Sequence, residues 1–120
     1  MLSNNEIGQK GEKLAVQHLV ENGYTLLETN WRFKRAEIDI IAKKDEVLIF
    51  VEVKTRNYTY YGHPSEFVTQ KKESMVMDAA QRYMETIDYS WEIRFDIITV
   101  ILTKSGDCKK LEHFEDAFFE

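Results

Sequence analysis

The stretch from Glu37 to Arg56, EIDIIAKKDEVLIFVEVKTR, sets the strictest condition on how this chain folds. Two apolar runs, Ile38–Ala42 and Val47–Val53, flank the polar segment Lys43-Lys44-Asp45-Glu46, which is the pattern of a β-hairpin. Side chains alternate across a strand, so Glu52 and Lys54 share a face with Leu48 and Phe50, while Val47, Ile49, Val51 and Val53 take the other. Both faces are mostly apolar, which places this strand inside a sheet. Asp39 shares a face with Glu37 and Ile41 in its own strand. A connecting loop of two or of four residues puts Asp39 on the face of Glu52, directly opposite it in the first case and diagonal in the second. Carboxylates that close repel unless a cation lies between them.

The rest of the chain supplies a sheet for that hairpin. Ser3-Asn4-Asn5-Glu6 fits a capping box, and Ile7, Gly11, Leu14, Ala15 and Leu19 recur at helical spacing until the stop signal Asn22-Gly23. Tyr24–Phe33 reads as a strand leading to the turn Lys34-Arg35, and Asn57–Pro64 as a loop. Thr69 is placed to cap a second helix running to about Ile87, with Val76, Ala79 and Tyr83 on one face. Ile93–Leu102 is a fourth strand, and the tail with Phe114, Phe118 and Phe119 is expected to pack as a short helix. The order α-β-β-β-α-β implies an α/β fold with one mixed sheet flanked by helices. Without repeats or linkers, the 120 residues are expected to form a single domain. There is no long apolar run and no signal-peptide pattern, so a cytoplasmic protein that does not enter the membrane is expected. Cys108 has no second cysteine to pair with and reads as an incidental reduced thiol.

The net charge of −5 argues against nucleic-acid binding by bulk electrostatics. Residues 83–120, however, carry nine acids and four bases and so account for the whole of it. The run Arg32–Arg56 holds seven bases against five acids, which leaves room for a locally basic surface. Arg32, Arg35 and Arg56 flank the hairpin as candidate phosphate contacts, the plainer account being solvated strand ends. Tyr58, Tyr60 and Tyr61 are candidates for stacking on splayed bases, whereas His63, beside Pro64 and without an acidic partner at ligand spacing, reads as a loop residue. Asp96 shares a strand face with Arg94, and an ion pair stabilising the sheet edge accounts for both.

A divalent cation resolves the conflict between Asp39 and Glu52. Mg²⁺ takes oxygen ligands, often one or two carboxylates together with water and phosphate oxygens. Lys54, two residues beyond Glu52 on the same face, adds a positive charge that can orient a water or stabilise charge developing on a phosphate. The alternative is a solvated strand face with local pairing, but two helical residues weigh against it. Glu12 lies on the stripe of Gly8, Ala15 and Leu19, and Lys72 lies in line with Val76, Ala79 and Tyr83, so both point toward the sheet.

With Glu12, Asp39 and Glu52-x-Lys54 on this element order, the chain resembles the PD-(D/E)XK, or restriction-endonuclease-like, nuclease superfamily. The runs GQKGEKLA, GYTLLETNWR, EIDIIA, FVEVKTR, YGHPSEFVTQKK and RFDIITV, from Gly8 to about Val100, resemble the YraN family of small bacterial proteins within it. The resemblance implies Asp39 and Glu52 as metal ligands, Lys54 as their catalytic partner, Glu12 as the helical acid and Lys72 as the cation on the second helix. One departure is visible: Ala36 stands where the family's strand motif usually reads Gly before Glu-Ile-Asp, which removes an easy positive φ at the turn.

The leading expectation is therefore a Mg²⁺- or Mn²⁺-dependent endonuclease that hydrolyses phosphodiester bonds in DNA, on branched or damaged structures since no separate sequence-reading module is present. The alternative is a non-catalytic nucleic-acid-associated or partner-binding protein that keeps the nuclease fold. A two-fold homodimer is the expected assembly of a small nuclease acting on two strands.

Overall fold

The first helix begins where the capping signal stands. Glu6 N–H donates to Ser3 Oγ and Ser3 N–H donates to Glu6 Oε1, at 3.2 and 3.1 Å, which satisfies two N–H groups that the helix itself leaves open. The computed structural model describes residues 2–58 and 70–117, with the backbone alone for 70–72. In it this helix, α1, spans Asn4–Glu21 and closes on Asn22, after which Gly23 takes φ +86°. Then follow β1 (Thr25–Phe33), β2 (Ala36–Lys44), β3 (Val47–Arg56), α2 (Gln70–Thr86), β4 (Ile93–Leu102) and β5 (Cys108–Phe114). The expected cap at Thr69 lies outside the described residues, as do Tyr60, Tyr61, His63, Phe118 and Phe119.

The five strands form one sheet in chain order. Neighbours joined by short connections are antiparallel, while β3 and β4, joined through α2, are parallel, as a crossover requires. The α-β-β-β-α-β core of the restriction-endonuclease-like arrangement is thus present, and β5 extends it. Asp45 and Glu46 both adopt left-handed conformations, at φ 50° and 66°, and make a two-residue hairpin connection with Lys44 paired to Val47. The strands run longer than the apolar runs alone suggested.

The expected short helix in the tail is instead β5, and the pair expected at a sheet edge is instead interior. Both corrections trace to Asp96, which is 0% exposed on the inner strand β4. Its carboxylate accepts from Arg94 Nε and Nη2 at 2.8 and 2.9 Å, from His113 Nε2 at 2.7 Å and from the Asp116 N–H at 2.9 Å. A buried carboxylate needs such donors, and drawing His113 and Asp116 to it lays the tail along β4 as a strand. Burial alone would raise the Asp96 carboxyl, but the bonds from His113, Arg94 and the Asp116 N–H outweigh it and hold the group below the usual carboxylate range.

Helices cover both faces. Ala15 and Leu19 of α1 pack with Ile40, Ala42, Ile49, Val51, Val53, Ile98 and Val100, while Val76, Ala79 and Tyr83 of α2 pack with Ile38, Ile41, Leu48, Phe50, Phe95 and Ile97. Along β3 the alternation is regular. Along β2 it slips: Ile38 and Ile41, an odd number of residues apart, both face α2, so Asp39 does not share the face of Ile41 as simple alternation required. Among the described residues no helix is long and apolar enough to cross a membrane.

Gly11 sets how closely α1 approaches β3. A Cβ there would stand 1.7 Å from Thr55 Oγ1, whereas one at Gly8 would meet nothing within 4 Å. Gly11→Ala is therefore expected to lose about 1–3 kcal/mol through forced displacement of the helix. Gly8→Ala, in the same helix, is expected to gain up to ~1 kcal/mol from helix propensity. Urea midpoints of the two variants at unchanged slope check both signs.

Candidate functional site

The site begins where the sheet forks. The β2–β3 ladder runs from Lys44↔Val47 to Ile40↔Val51 and stops there. Toward its other end β2 stays paired only with β1, through Trp31↔Ile38, Arg32↔Glu37 and Phe33↔Ala36, while β3 continues along β4 from Glu52↔Ile97 to Arg56↔Ile101. Across the opening, the Val53 N–H donates to Asp39 Oδ2 at 2.8 Å, so a carboxylate stands in for main-chain pairing. Residues that alternation assigns to opposite faces can meet in this gap.

Four carboxylates gather around it. Oxygens of Glu12 from α1 and of Glu37 and Asp39 from β2 lie within 4.8 Å of one another. Glu52, on the β3 arm, is the strongest charged neighbour of Asp39 and accepts from Lys54 Nζ at 2.8 Å. Asp39 and Glu52 are only 9% and 6% exposed. Burial first, then repulsion from Glu52, push the Asp39 carboxyl up to about 8, against the opposing pull of the Val53 N–H. Burial likewise raises Glu12, with Glu37 and Glu52 adding to the effect and a hydrogen bond from Asn30 opposing it. Asn30, its amide oriented nitrogen-inward, stands 3.3 Å from Glu37 Oε1 and from both oxygens of Glu12.

These residues fit a hard divalent cation. Every donor is a carboxylate oxygen, the class that suits Mg²⁺ and Mn²⁺ and not the nitrogen and sulfur sites preferred by Zn²⁺. The proton that Asp39 retains near neutral pH is what a cation would replace. Among the described residues, Glu12, Glu37 and Asp39 form the compact oxygen set, with Glu52 and its Lys54 partner beside it on the other arm of the fork.

The remaining candidates from the sequence distribute unevenly. Arg32 is exposed and ion-paired to Glu37, which attaches it to the site. Arg35 lies on the β1–β2 turn, where Phe33, Lys34, Arg35, Ala36, Met75 and Asp78 line an open cavity of about 320 Å³. Arg56 ends β3, half-buried, with Nη1 donating to the Thr55 carbonyl at 2.9 Å. Tyr58 is exposed. The side chain of Lys72 lies outside the described residues; its backbone is in the first turn of α2. Ala36 poses no conformational problem, because the left-handed position of that turn is Lys34, at φ 56°. Sequence reasoning left out Glu37 and Asn30. Glu37 had a legible signal, since it stands two residues before Asp39 on the same strand; Asn30 had none.

Comparison with known proteins places the chain in a coherent group. A model described as uncharacterised protein family UPF0102 matches residues 11–100. A UPF0102 protein of Flavobacterium psychrophilum is 47% identical over 119 residues, spanning 99% of this chain and 98% of the relative. Another, from Christiangramia forsetii, is 45% identical over 119 residues with the same two coverages. A third, from Porphyromonas gingivalis, is 37% identical over 118 residues, covering 98% of this chain and 87% of the relative.

The raised carboxyl of Asp39 makes stability depend on pH. The folded protein holds this proton more tightly than the unfolded chain, whose carboxyl titrates near 3.8, so stability of the ion-free protein is lost as pH rises from there through about 8. Asp39→Asn keeps an oxygen for the Val53 N–H and removes the titration. The variant should match wild type near pH 4 and exceed it at pH 8–9 by on the order of a few kcal/mol. Urea unfolding at both pH values in the presence of a chelator measures the difference, and a gap that does not grow with pH contradicts the assignment.

Proposed function

The chain belongs to the UPF0102 family of bacterial proteins, and on that premise we propose that it is a Mg²⁺- or Mn²⁺-dependent endonuclease of the PD-(D/E)XK type, hydrolysing phosphodiester bonds in DNA. One observation carries the reading: a buried Asp39, its carboxyl pushed up by burial and then by repulsion from Glu52, stands in a sheet fork next to the Glu52–Lys54 ion pair. An ordinary structural ion pair gathers donors around its acid, as Asp96 does. Asp39 has gathered acids.

In this reading Glu12, Glu37 and Asp39, with Glu52 adjoining, hold the cation. Bound there, such an ion supplies Lewis-acid polarisation of a phosphate oxygen and a more acidic water. Lys54 is the group that distinguishes catalysis from binding. Its ammonium is mostly buried and fixed by Glu52, so it presents a compact positive charge, without reorganising, to an attacking water or to the developing charge on the scissile phosphate. Arg32 and Arg35 are exposed at the β1–β2 end of the fork and Arg56 ends the β3 arm. Contacts from these to backbone phosphates position the substrate without reading its sequence, which agrees with local rather than overall basicity. A substrate recognised by shape, such as a branched or damaged duplex, suits contacts of that kind, and two copies related by a two-fold axis would address two strands.

Labelled duplex, single-stranded, flapped and junction DNA, with RNA counterparts, incubated with Mg²⁺ or Mn²⁺ and scored for cleavage, tests the activity. Lys54→Ala should lower cleavage on the order of 10²–10⁴-fold while leaving Mn²⁺ and DNA binding within a few-fold of wild type. Lys54→Arg should recover little, since a planar guanidinium does not occupy the place of an ammonium. Cleavage by Lys54→Ala at the wild-type rate would remove Lys54 from the chemistry. DNA binding by wild type with no cleavage of any substrate would favour the non-catalytic alternative.

A further inference from the structure

Asn30 stands inside β1 at φ 52°, in the left-handed region that L residues enter at a cost and that asparagine tolerates better than most. Among the described residues the other non-glycine positions with positive φ, Lys34, Asp45, Glu46, Asp88 and Asp116, lie in turns; Asn30 alone interrupts a strand. The β1–β2 register passes from Thr29↔Ile40 to Trp31↔Ile38 and omits the pair between them, Asn30 and Asp39. The missing pair falls at the same level of the sheet as the fork, while the register of β1 itself shifts earlier, between Leu26 and Glu28. At that level the Asn30 amide nitrogen reaches Glu37 Oε1 on β2 and both carboxylate oxygens of Glu12 on α1, each at 3.3 Å, and it pulls the Glu12 carboxyl downward against burial.

We propose that Asn30 is a positioning residue of the cation site, its amide bridging Glu12 and Glu37 so that a helix and a strand present their carboxylates together. The inference rests on the metal-dependent reading above. A primary amide has two N–H donors and can serve one carboxylate with each, which quiets the repulsion between two acids without adding a charge that would exclude a cation. Hydrogen bonds to ligating carboxylates fix their orientation, and losing such a partner typically costs 10–100-fold in metal affinity. Strained backbone at a site of converging side chains is the expected setting for such a residue.

The competing account is that asparagine is present only because the backbone must be left-handed there. Asn30→Gly separates the two, because glycine accepts that conformation freely and lacks the amide. Calorimetric titration with Mn²⁺ should give the variant at least ~10-fold weaker binding than wild type, with an unchanged circular dichroism spectrum. Equal affinity in the two proteins would overturn the positioning role and leave the metal reading standing, whereas absence of Mn²⁺ binding by wild type would overturn both. Should Asn30→Gly fail to fold, Asn30→Asp serves instead: it keeps the size and the tolerance for positive φ but turns the donor into an acceptor. Its Tm in chelator should then fall below that of wild type, and an equal Tm in the two proteins would overturn the bridging role.

Discussion

The hydrogen bond from the Val53 N–H to Asp39 Oδ2 is the joint on which the rest of this architecture turns. Below it, β2 and β3 are an ordinary hairpin with a tight turn and two apolar faces. Above it they separate, each keeping only its outer neighbour, and the space between them is where Glu12, Glu37, Asp39, Glu52 and Lys54 converge. A side chain that replaces one main-chain pairing lets the sheet open without leaving a buried amide unpaired. The opening also permits the change of phase along β2 that sends Ile38 and Ile41, three residues apart, both toward α2.

Two buried aspartates show how differently the chain can surround the same side chain. Asp96 receives four hydrogen bonds, from an arginine, a histidine and a backbone amide, and stays ionised in a fully enclosed position, tying β4 to β5 and to the segment beyond it. Asp39 receives one main-chain bond and has acids for neighbours, so burial and repulsion add up. The first is complete within the chain. The second is, in the proposed reading, an arrangement that a cation would complete, and without one it costs stability as pH rises. Gly11, which brings α1 against Thr55, is what places Glu12 within reach of the strand carboxylates.

Much of the candidate site was legible in the chain because strands impose a period of two and helices one of 3.6. Asp39, Glu52 and Lys54 interrupt apolar runs, and Glu12 sits on the stripe that Gly11, Ala15 and Leu19 bury. Glu37 follows the same logic and was open to the same reading. Asn30 was not: nothing in TLLETNWRF marks a left-handed residue in mid-strand, and the carboxylates its side chain meets, Glu12 and Glu37, come from other elements. The tail misled for a related reason. Its residues pair as a strand because β4 offers an open edge and Asp96 offers a buried acceptor, and neither is a property of residues 108–114 themselves.

The amino-acid sequence by itself determined the element order as far as β4, the caps of α1, the two-faced burial of β3 and the presence of charges within apolar strands. These follow from local propensity and periodicity, which act over a few residues and are written in each segment. Only the tertiary structure decided that the hairpin opens at Asp39, that three carboxylates from a helix and a strand come within 4.8 Å, and that Asp96 is enclosed rather than at an edge. Those outcomes depend on which donors and charges distant segments bring to one point, and the resulting balance of desolvation, repulsion and hydrogen bonding exists only once the chain has folded.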